Sequence, residues 1–445
     1  MRLCLSVRAL RLLRRCMQVH RCGVVFGQHE ACALAALGTD WDMMRCHSRV
    51  QQMLNRRQFG AAIGLGLAFE ARFDRANAQT GAPSETGAAQ SHLFPGEEMI
   101  EAAGYPALVK FTKGQTNQPL VVFVPGTSFL ARIAYGFPGG RPEDFLEHWI
   151  VSAGYSFLGV SYPLDNPVFD RVYPGFGITD WGRQIATAAQ RSIAANGLGR
   201  RIIVVGWSMG GKPVETVARA AREIGLEVEL FVALDALPPG SNLFPGNAEQ
   251  FRLAANGMVE QADVLIPWFL QMVDAQNRIN GHTIIPADGF REWFTGNPPL
   301  NIQGENARFS DGRLATDVAA AATDSRATDY GSLPSMALIV SNSPADYPNV
   351  LLCRTNWGLL VGQQLYRRHV FPVRDRMAAL PEAQWAALQA AFMGAMQHLT
   401  IQIAGTHFLF LGEEGARSTV GAITELELRS RQLDREIDEQ LKGLP

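Results

Sequence analysis

The sequence predicts an α/β fold, in which a mostly parallel sheet carries helices on both faces. Short, continuously apolar runs such as Leu120–Val124 (LVVFV) and 201–205 (RIIVV) have the composition of strands buried on both sides. Segments with helical spacing of apolar residues, such as 179–196, alternate with these runs. The 445 residues are 47% hydrophobic, which is ample for the core of such a covered sheet.

The predicted elements follow one another regularly on both sides of one irregular segment. The predicted strands are Leu120–Val124, 155–161, 201–205, 228–234, Met336–Ser341 and 400–404. The predicted helices are 142–153, 179–196, 213–224, 356–368, 382–396 and a charged terminal helix, 425–442, which we interpret as a solvated surface element.

The regular alternation stops between about residues 240 and 333, where Pro, Gly, Asn and Asp clusters surround one helical stretch, 258–273. This insertion contains Trp268, Phe269, Trp293 and Phe294. Two interpretations are open. The aromatic residues belong either to the core of a surface insertion or to a lid that forms an apolar substrate pocket.

Charge and hydropathy exclude some classes of partner. Residues 1–78 hold 12 of the 40 Lys and Arg residues but only 5 of the 42 Asp and Glu residues, so the rest of the chain has a net charge of −9. An acidic body argues against binding to nucleic acid. No apolar run reaches the roughly 18 residues of a membrane-spanning helix, so we expect no integral membrane span.

The N-terminal region predicts export. Residues 53–78 contain the pair Arg56-Arg57, an apolar stretch over 59–69 and the small-x-small pattern Ala76-Asn77-Ala78, in the order of a twin-arginine signal peptide. We therefore expect a periplasmic or secreted bacterial protein. We interpret residues 1–52 as an upstream extension absent from the mature protein, although a basic amphipathic presequence over 5–15 is an alternative. Residues 79–96 then form a linker, and residues 97–445 form the folded domain.

The clearest chemical motif is Gly206-Trp207-Ser208-Met209-Gly210, which follows the predicted strand 201–205 and precedes a predicted helix. A Gly-x-Ser-x-Gly motif between a strand and a helix is typical of a nucleophile elbow. The tight turn exposes the serine hydroxyl, and the helix N-terminus behind it offers N–H groups to an oxyanion. Ser208 is therefore the candidate nucleophile.

With this elbow, a strand that ends in Pro125-Gly126-Thr127, and a late Gly405-Thr406-His407, the chain resembles the α/β-hydrolase superfamily over roughly 97–240 and 334–412. The resemblance implies an α/β-hydrolase fold with a helical lid insertion. It also implies a triad in the chain order Ser, acid, His.

The resemblance assigns the histidine to His407, on the loop after the last predicted strand. The other histidines of the body fit the pattern less well. His148 precedes the serine, His282 lies in the insertion, His369 ends a basic helix and His398 precedes the last strand.

Two residues are candidates for the acid. Asp235 follows strand 228–234, as in the thioesterase branch of the superfamily, and Asp346 follows the next strand, where many relatives have their acid. We favour Asp235 and keep Asp346 as the alternative. The resemblance places the oxyanion-hole N–H groups at Met209 and Thr127, although the family's common His-Gly pair is missing beside Thr127.

These assignments predict an exported serine hydrolase that cleaves small-molecule carboxylic esters or thioesters through an acyl-enzyme, with Ser208, Asp235 and His407 as the triad. No Cys or His spacing indicates a metal site, and we expect neither a metal nor an organic cofactor. The alternatives are an acyltransferase with the same triad and a non-catalytic binding protein on this scaffold. The substrate and the oligomeric state are left open.

Overall fold

The computed structural model describes residues 92–240, 251–304 and 306–444. The predicted extension (1–52), the predicted export signal (53–78) and most of the predicted linker (79–96) lie outside these residues. Within them, no helix is both long enough and apolar enough to cross a bilayer.

An eight-stranded sheet forms the centre of the fold and confirms the predicted fold class. The described residues form strands β1 (Glu97–Ala102), β2 (Tyr105–Thr112), β3 (Leu120–Val124), β4 (Ser156–Ser161), β5 (Arg201–Trp207), β6 (Glu227–Leu234), β7 (Ala307–Ser310), β8 (Arg313–Thr316), β9 (Met336–Ser341) and β10 (Thr400–Ile403). The order in the large sheet is β1-β2-β4-β3-β5-β6-β9-β10, and β7 and β8 form a separate hairpin. The strands from β4 to β10 in this order are mutually parallel, whereas β1 and β2 are antiparallel to their neighbours.

Nine α-helices in the described residues surround this sheet. They are α1 (Leu146–Ser152), α2 (Ile178–Asn196), α3 (Val214–Glu223), α4 (Ala262–Asn280), α5 (Ala287–Phe294), α6 (Val318–Ser325), α7 (Arg354–Leu365), α8 (Glu382–His398) and α9 (Glu413–Leu441). The mostly parallel sheet with its helices fits an α/β-hydrolase fold.

The predicted strands match the sheet because their sequences are apolar along the whole length of each strand. All five residues of β3 and all six of β9 are buried, as expected for central parallel strands covered by helices on both sides. The hairpin of β1 and β2 was not predicted. Strand β2 buries three consecutive residues, Ala107, Leu108 and Val109. The two-residue turn, Ala103-Gly104, has φ values of 54° and 86° without the usual Asn-Gly signal.

The terminal helix differs from its prediction. Helix α9 begins at Glu413 rather than 425, and it is not only a solvated element, because Leu426, Leu433 and Ile437 are buried against the core. These apolar residues recur at helical spacing between charged residues. The high content of charged residues therefore led to the prediction of a solvated helix, although one face is apolar.

The insertion between β6 and β9 carries α4, α5, the β7–β8 hairpin and α6. Helix α4 starts at Ala262, four residues after the predicted start, and packs Phe269, Met272 and Val273 into the main core. The insertion is therefore continuous with the hydrophobic core of the domain.

Candidate active site

Ser208 lies on a strained turn between β5 and α3. Strand β5 ends at Trp207, and a short 3₁₀ turn, Ser208–Gly211, leads towards α3. Ser208 has φ of 54°, a conformation that costs a non-glycine residue on the order of 1–3 kcal/mol and that persists where the surroundings enforce it. The residue is half-buried. This is the geometry expected of a nucleophile elbow.

The glycines of the motif are required by close backbone contacts. A Cβ atom on Gly206 would lie 2.3 Å from the carbonyl oxygen of Gly210, and one on Gly210 would lie 2.5 Å from the carbonyl oxygen of Val124. Gly126, on the loop after β3, is equally constrained, because its Cβ would lie 2.7 Å from Cβ of Ser208. These three positions bring the loop after β3 against the serine.

His407 lies on the loop after β10, next to the serine turn. The indole N–H of Trp207 donates a hydrogen bond to the carbonyl oxygen of His407, at 2.9 Å, and the two rings have centroids 5.2 Å apart. Since Trp207 immediately precedes Ser208, this contact joins the histidine loop to the elbow. Among the described residues, Ser208 Oγ has no hydrogen-bond partner. Nucleophile–base bonds are often long in proteins without substrate.

The hydrogen bond to the imidazole comes from Asp346. Its Oδ2 lies 3.0 Å from Nδ1 of His407, and both side chains are buried, with exposures of 1% and 2%. A carboxylate at Nδ1 fixes the tautomer that leaves Nε2 available as a base, and it stabilises an imidazolium. The carboxyl group next to the imidazole is therefore that of Asp346, the alternative candidate from the sequence.

Asp235, the preferred residue, lies beside this pair but hydrogen-bonds elsewhere. Its Oδ1 accepts the backbone N–H of Ser341 at 2.9 Å, and its Oδ2 has no donor among the described residues. If one oxygen or nitrogen atom is taken from each side chain of Asp235, Asp346 and His407, the three atoms lie within 4.8 Å of one another. Asp235 also has φ of 41°, so the chain bends sharply as it leaves β6.

The two carboxyl groups cannot both ionise easily at this separation inside the protein. Burial, reinforced by the charge of Asp346, raises the pKa of Asp235 well above its usual range. This shift favours the protonated form of Asp235, which can donate its proton to the Asp346 carboxylate. With Asp346 ionised, the pair in that form holds one negative charge beside His407.

The loop after β3, residues 125–128, contains the second candidate oxyanion donor, and we call this loop the strap. Thr127 follows Gly126, and Ser128 has φ of 64°. The hydroxyl of Tyr162 donates to the carbonyl oxygen of Gly126 at 2.9 Å, and burial raises the pKa of this tyrosine, which keeps it a donor. Met209 lies in the first turn after the nucleophile, where backbone N–H groups have no partner within the helix. Thr127 and Met209 thus belong to loops in contact at Ser208.

Two glutamines of the insertion hold the side chain of Thr127. Thr127 Oγ1 donates to Oε1 of Gln261 at 2.9 Å, and Nε2 of Gln303 donates to Thr127 Oγ1 at 3.2 Å and to Gln261 Oε1 at 2.8 Å. Sequence reasoning missed these residues. Gln261 directly precedes α4, while Gln303 lies 42 residues further along the chain. No local pattern connects them with Thr127.

Helix α4 also supports the histidine loop. Gln276 is buried, its Oε1 accepts the N–H of Thr406 at 3.2 Å, and its Nε2 donates to the carbonyl oxygen of Leu411 at 3.2 Å. The helix therefore contacts both the loop of Thr127 and the loop of His407. The insertion therefore supplies side chains that hold two loops of the candidate site.

The four aromatic residues of the insertion were predicted to belong either to its core or to a lid over a substrate pocket, and their surroundings differ. Phe269 and Phe294 are buried in the core, and Trp293 stacks on Phe137 with centroids 4.9 Å apart. Trp268 is 41% exposed, and its ring centroid lies 6.1 Å from that of His407. Among these four, only Trp268 is both exposed and close to His407.

The remaining histidines have other partners. His369 is held between Asp434 and Asp438, at 2.9 and 2.7 Å; burial opposes its protonation, but these two hydrogen bonds prevail and raise its pKa. His282 binds Asp144 at 2.7 Å. His398 pairs with the carbonyl oxygen of Arg429, and His148 packs against Trp149.

Within the described part of the chain, Asp235, Asp346 and His407 are also the one group of three side chains whose donor atoms could hold a metal ion. In the structure, Asp346 and His407 hydrogen-bond to each other through such atoms. The arrangement thus brings an imidazole, two carboxyl groups and a neighbouring strained serine together at the carboxyl ends of parallel strands.

No protein-family model and no curated protein sequence matches the chain. Similar solved structures include a thermophilic esterase from Thermogutta terrifontis, with 13% identity, a TM-score of 0.39, and coverage of 75% of this chain and 98% of that chain. A lipase-esterase related protein from Clostridium acetobutylicum has 13% identity, a TM-score of 0.37, and coverage of 72% and 99%. The thioesterase domain from the curacin biosynthetic pathway has 12% identity, a TM-score of 0.32, and coverage of 74% and 98%. Likenesses this weak carry no argument about activity.

Proposed function

We propose that the protein is a serine hydrolase that cleaves carboxylic esters or thioesters through an acyl-enzyme. The observation that supports this most strongly is the buried Asp346–His407 hydrogen bond, which lies at the same sheet edge as the strained Ser208. An orienting carboxylate, an imidazole and a hydroxyl on a sharp turn are the three parts that this chemistry requires.

In the proposed reaction, Nε2 of His407 takes the proton from Ser208 as Oγ attacks the acyl carbonyl carbon. The resulting oxyanion accepts hydrogen bonds from the N–H groups of Met209 and Thr127, and Asp346 stabilises the imidazolium. The imidazolium then protonates the leaving alcohol or thiol, and the acyl group stays on Ser208. His407 next takes a proton from water as the water oxygen attacks the acyl carbon, and it returns that proton to Oγ of Ser208 as the carboxylic acid leaves.

Asp235 is a positioning residue in this scheme. In its protonated form it donates to one oxygen of Asp346, so the other oxygen stays directed at Nδ1 of His407. The N–H of Ser341 anchors Asp235 in turn. This role replaces the catalytic role that the sequence analysis preferred for Asp235.

The test is turnover of p-nitrophenyl esters and acyl thioesters of graded chain length. We expect Ser208→Ala to abolish acyl release, while Ser310→Ala, an exposed serine of the β7 strand, keeps wild-type rates. Hydrolysis that survives in Ser208→Ala would contradict the proposal. The same assay with added alcohols separates water from other acceptors, because an acyltransferase would form new esters in preference to free acid.

We also propose export through a twin-arginine signal at 53–78, supported by the sequence pattern alone. Sequencing of the N-terminus of the native protein tests this. A start near Gln79 is the expected result, and a retained Met1 would refute the proposal.

A further inference from the structure

Helix α8 is apolar on a surface that faces water. Between Glu382 and His398 it contains no charged residue, yet only Leu388 and Ala395 along its length are fully buried. Trp385 is 46% exposed and Met393 is 87% exposed. A surface helix of a globular domain normally carries charged residues on its outer side, so this helix is unusual.

The apolar surface continues onto the helical segment before α8. Tyr366 follows α7, and Phe371 comes one turn later; both are more than 40% exposed, and Leu359 of α7 is 56% exposed. A groove of about 310 Å³ runs between the segment 366–377 and α8. Its lining includes Tyr366, Val370, Met377, Trp385, Phe392 and Met393. We call this surface, from Leu359 to Met393, the α7–α8 patch.

Arginines border the patch. Arg367, Arg374 and Arg376 are all exposed. The guanidinium groups of Arg367 and Arg374 lie over the ring of Phe371, at 5.9 and 4.2 Å from its centroid. Arg374 also has Asp375 at 3.8 Å, and Arg376 donates to the carbonyl oxygen of Leu444 at 3.2 Å. Against the acids Asp375 and Glu382, these three arginines leave an excess of one positive charge.

This positive border contrasts with the body of the protein, because residues 79–445 have a net charge of −9. Aromatic and apolar side chains surrounded by arginines are the composition of a surface that lies on anionic lipid. The arginine stems lie along apolar groups while their charged ends reach phosphates. A second copy of the chain packed on the same patch would instead bring the arginines of both copies together.

We propose that the α7–α8 patch docks the protein on the surface of membranes that contain anionic lipids. Trp385, Met393 and Phe371 enter the boundary between headgroups and acyl chains, and the arginines contact lipid phosphates. The protein lies on the bilayer and does not span it. The proposal is independent of the hydrolytic site, since it uses none of that site's residues.

The test is co-sedimentation of the full chain with vesicles of phosphatidylcholine mixed with phosphatidylglycerol, compared with vesicles of phosphatidylcholine alone. We expect binding to the anionic vesicles that weakens as NaCl is raised. The double variant Trp385→Ser/Met393→Ser should bind about 10-fold more weakly. The double variant Arg367→Gln/Arg374→Gln should lose a similar factor on anionic vesicles only.

Matched controls are Ile279→Ser and Leu428→Ser, which remove exposed apolar residues elsewhere and should bind like the wild type. Brominated lipids report contact directly. They should quench part of the tryptophan emission in the wild type, and that part should be missing in Trp385→Phe. The proposal would be overturned by wild-type binding in both double variants, by quenching unchanged in Trp385→Phe, or by a dimer that Trp385→Ser/Met393→Ser dissociates.

Discussion

We expect replacement by asparagine to affect turnover very differently at the two buried aspartates. Replacing Asp346 by Asn puts an amide at the 3.0 Å contact with Nδ1 of His407. The amide carries no negative charge to stabilise the imidazolium, and its NH₂ group favours the wrong tautomer. The contact is buried on both sides, so water cannot replace the lost charge. We expect the turnover number to fall by about 10³–10⁴, equivalent to about 4–5 kcal/mol in the activation free energy.

The same substitution at Asp235 should cost less than about 10-fold in turnover. Because burial and the Asp346 carboxylate raise the pKa of Asp235, we expect this side chain to act as a neutral hydrogen-bond donor. An asparagine has the same shape, donates through Nδ2 in place of the carboxylic O–H, and accepts the N–H of Ser341 through Oδ1. Asp235→Leu keeps neither bond and should lose more activity than Asp235→Asn.

The assay is steady-state hydrolysis of one p-nitrophenyl ester by the wild type and the three variants, with thermal unfolding measured alongside to show that each variant is folded. If Asp235→Asn loses more than about 10²-fold while Asp346→Asn stays near the wild type, Asp235 is the acid and Asp346 is not. If neither asparagine variant loses 10²-fold, the triad itself is wrong at this position.

Three further predictions concern the strap and the core. Gly126→Ala should lower turnover at least about 10-fold, because the new methyl would approach Cβ of Ser208 to 2.7 Å. Gln303→Leu should lower kcat about 10-fold and change KM little, because Thr127 loses a buried partner and its N–H leaves the oxyanion position. Burial raises the pKa of Glu215 to about 7. Between the ordinary pKa of a glutamate and about pH 7, Glu215 therefore binds a proton in the folded protein but not in the unfolded chain. This proton binding stabilises the folded state, and the stabilisation is lost as pH rises through 7. Relative to the wild type, Glu215→Gln should gain up to about 2 kcal/mol in free energy of unfolding between pH 5 and pH 8, measured by urea denaturation.

Two of these predictions have matched controls. Gly199→Ala places a methyl with no heavy atom within 4 Å and should leave turnover unchanged. Gln432→Leu removes an exposed glutamine and should leave kcat unchanged. An unaltered kcat in Gln303→Leu would show that the strap needs no support from the insertion. A Glu215→Gln variant whose stability follows the wild type at every pH would show that Glu215 titrates normally.

The elbow could be predicted because its signal is local. An apolar strand, the Gly-x-Ser-x-Gly motif and a helix are contiguous in the chain, and the turn they form depends mainly on backbone contacts of Gly206 and Gly210. The central strands were predicted for a similar reason, since burial on both faces leaves an uninterrupted apolar run such as β3.

The choice of acid depends on contacts that the sequence does not encode locally. Asp235 and Asp346 follow strands β6 and β9, which are adjacent and parallel, so both side chains reach the same sheet edge. Which one meets Nδ1 depends on the course of each loop. The roles of Gln261 and Gln303 depend in the same way on how an insertion of irregular sequence folds back onto the β3 loop.

The central claim is that Ser208 presents a hydroxyl that His407 activates. The most direct measurement is the intact mass of the protein after treatment with a fluorophosphonate, followed by peptide mapping. We expect one adduct per chain on the peptide that contains Ser208, no adduct in Ser208→Ala, and strongly slowed labelling in His407→Ala. A wild-type protein that stays unlabelled, or an adduct that maps to another residue and persists in Ser208→Ala, would contradict the claim.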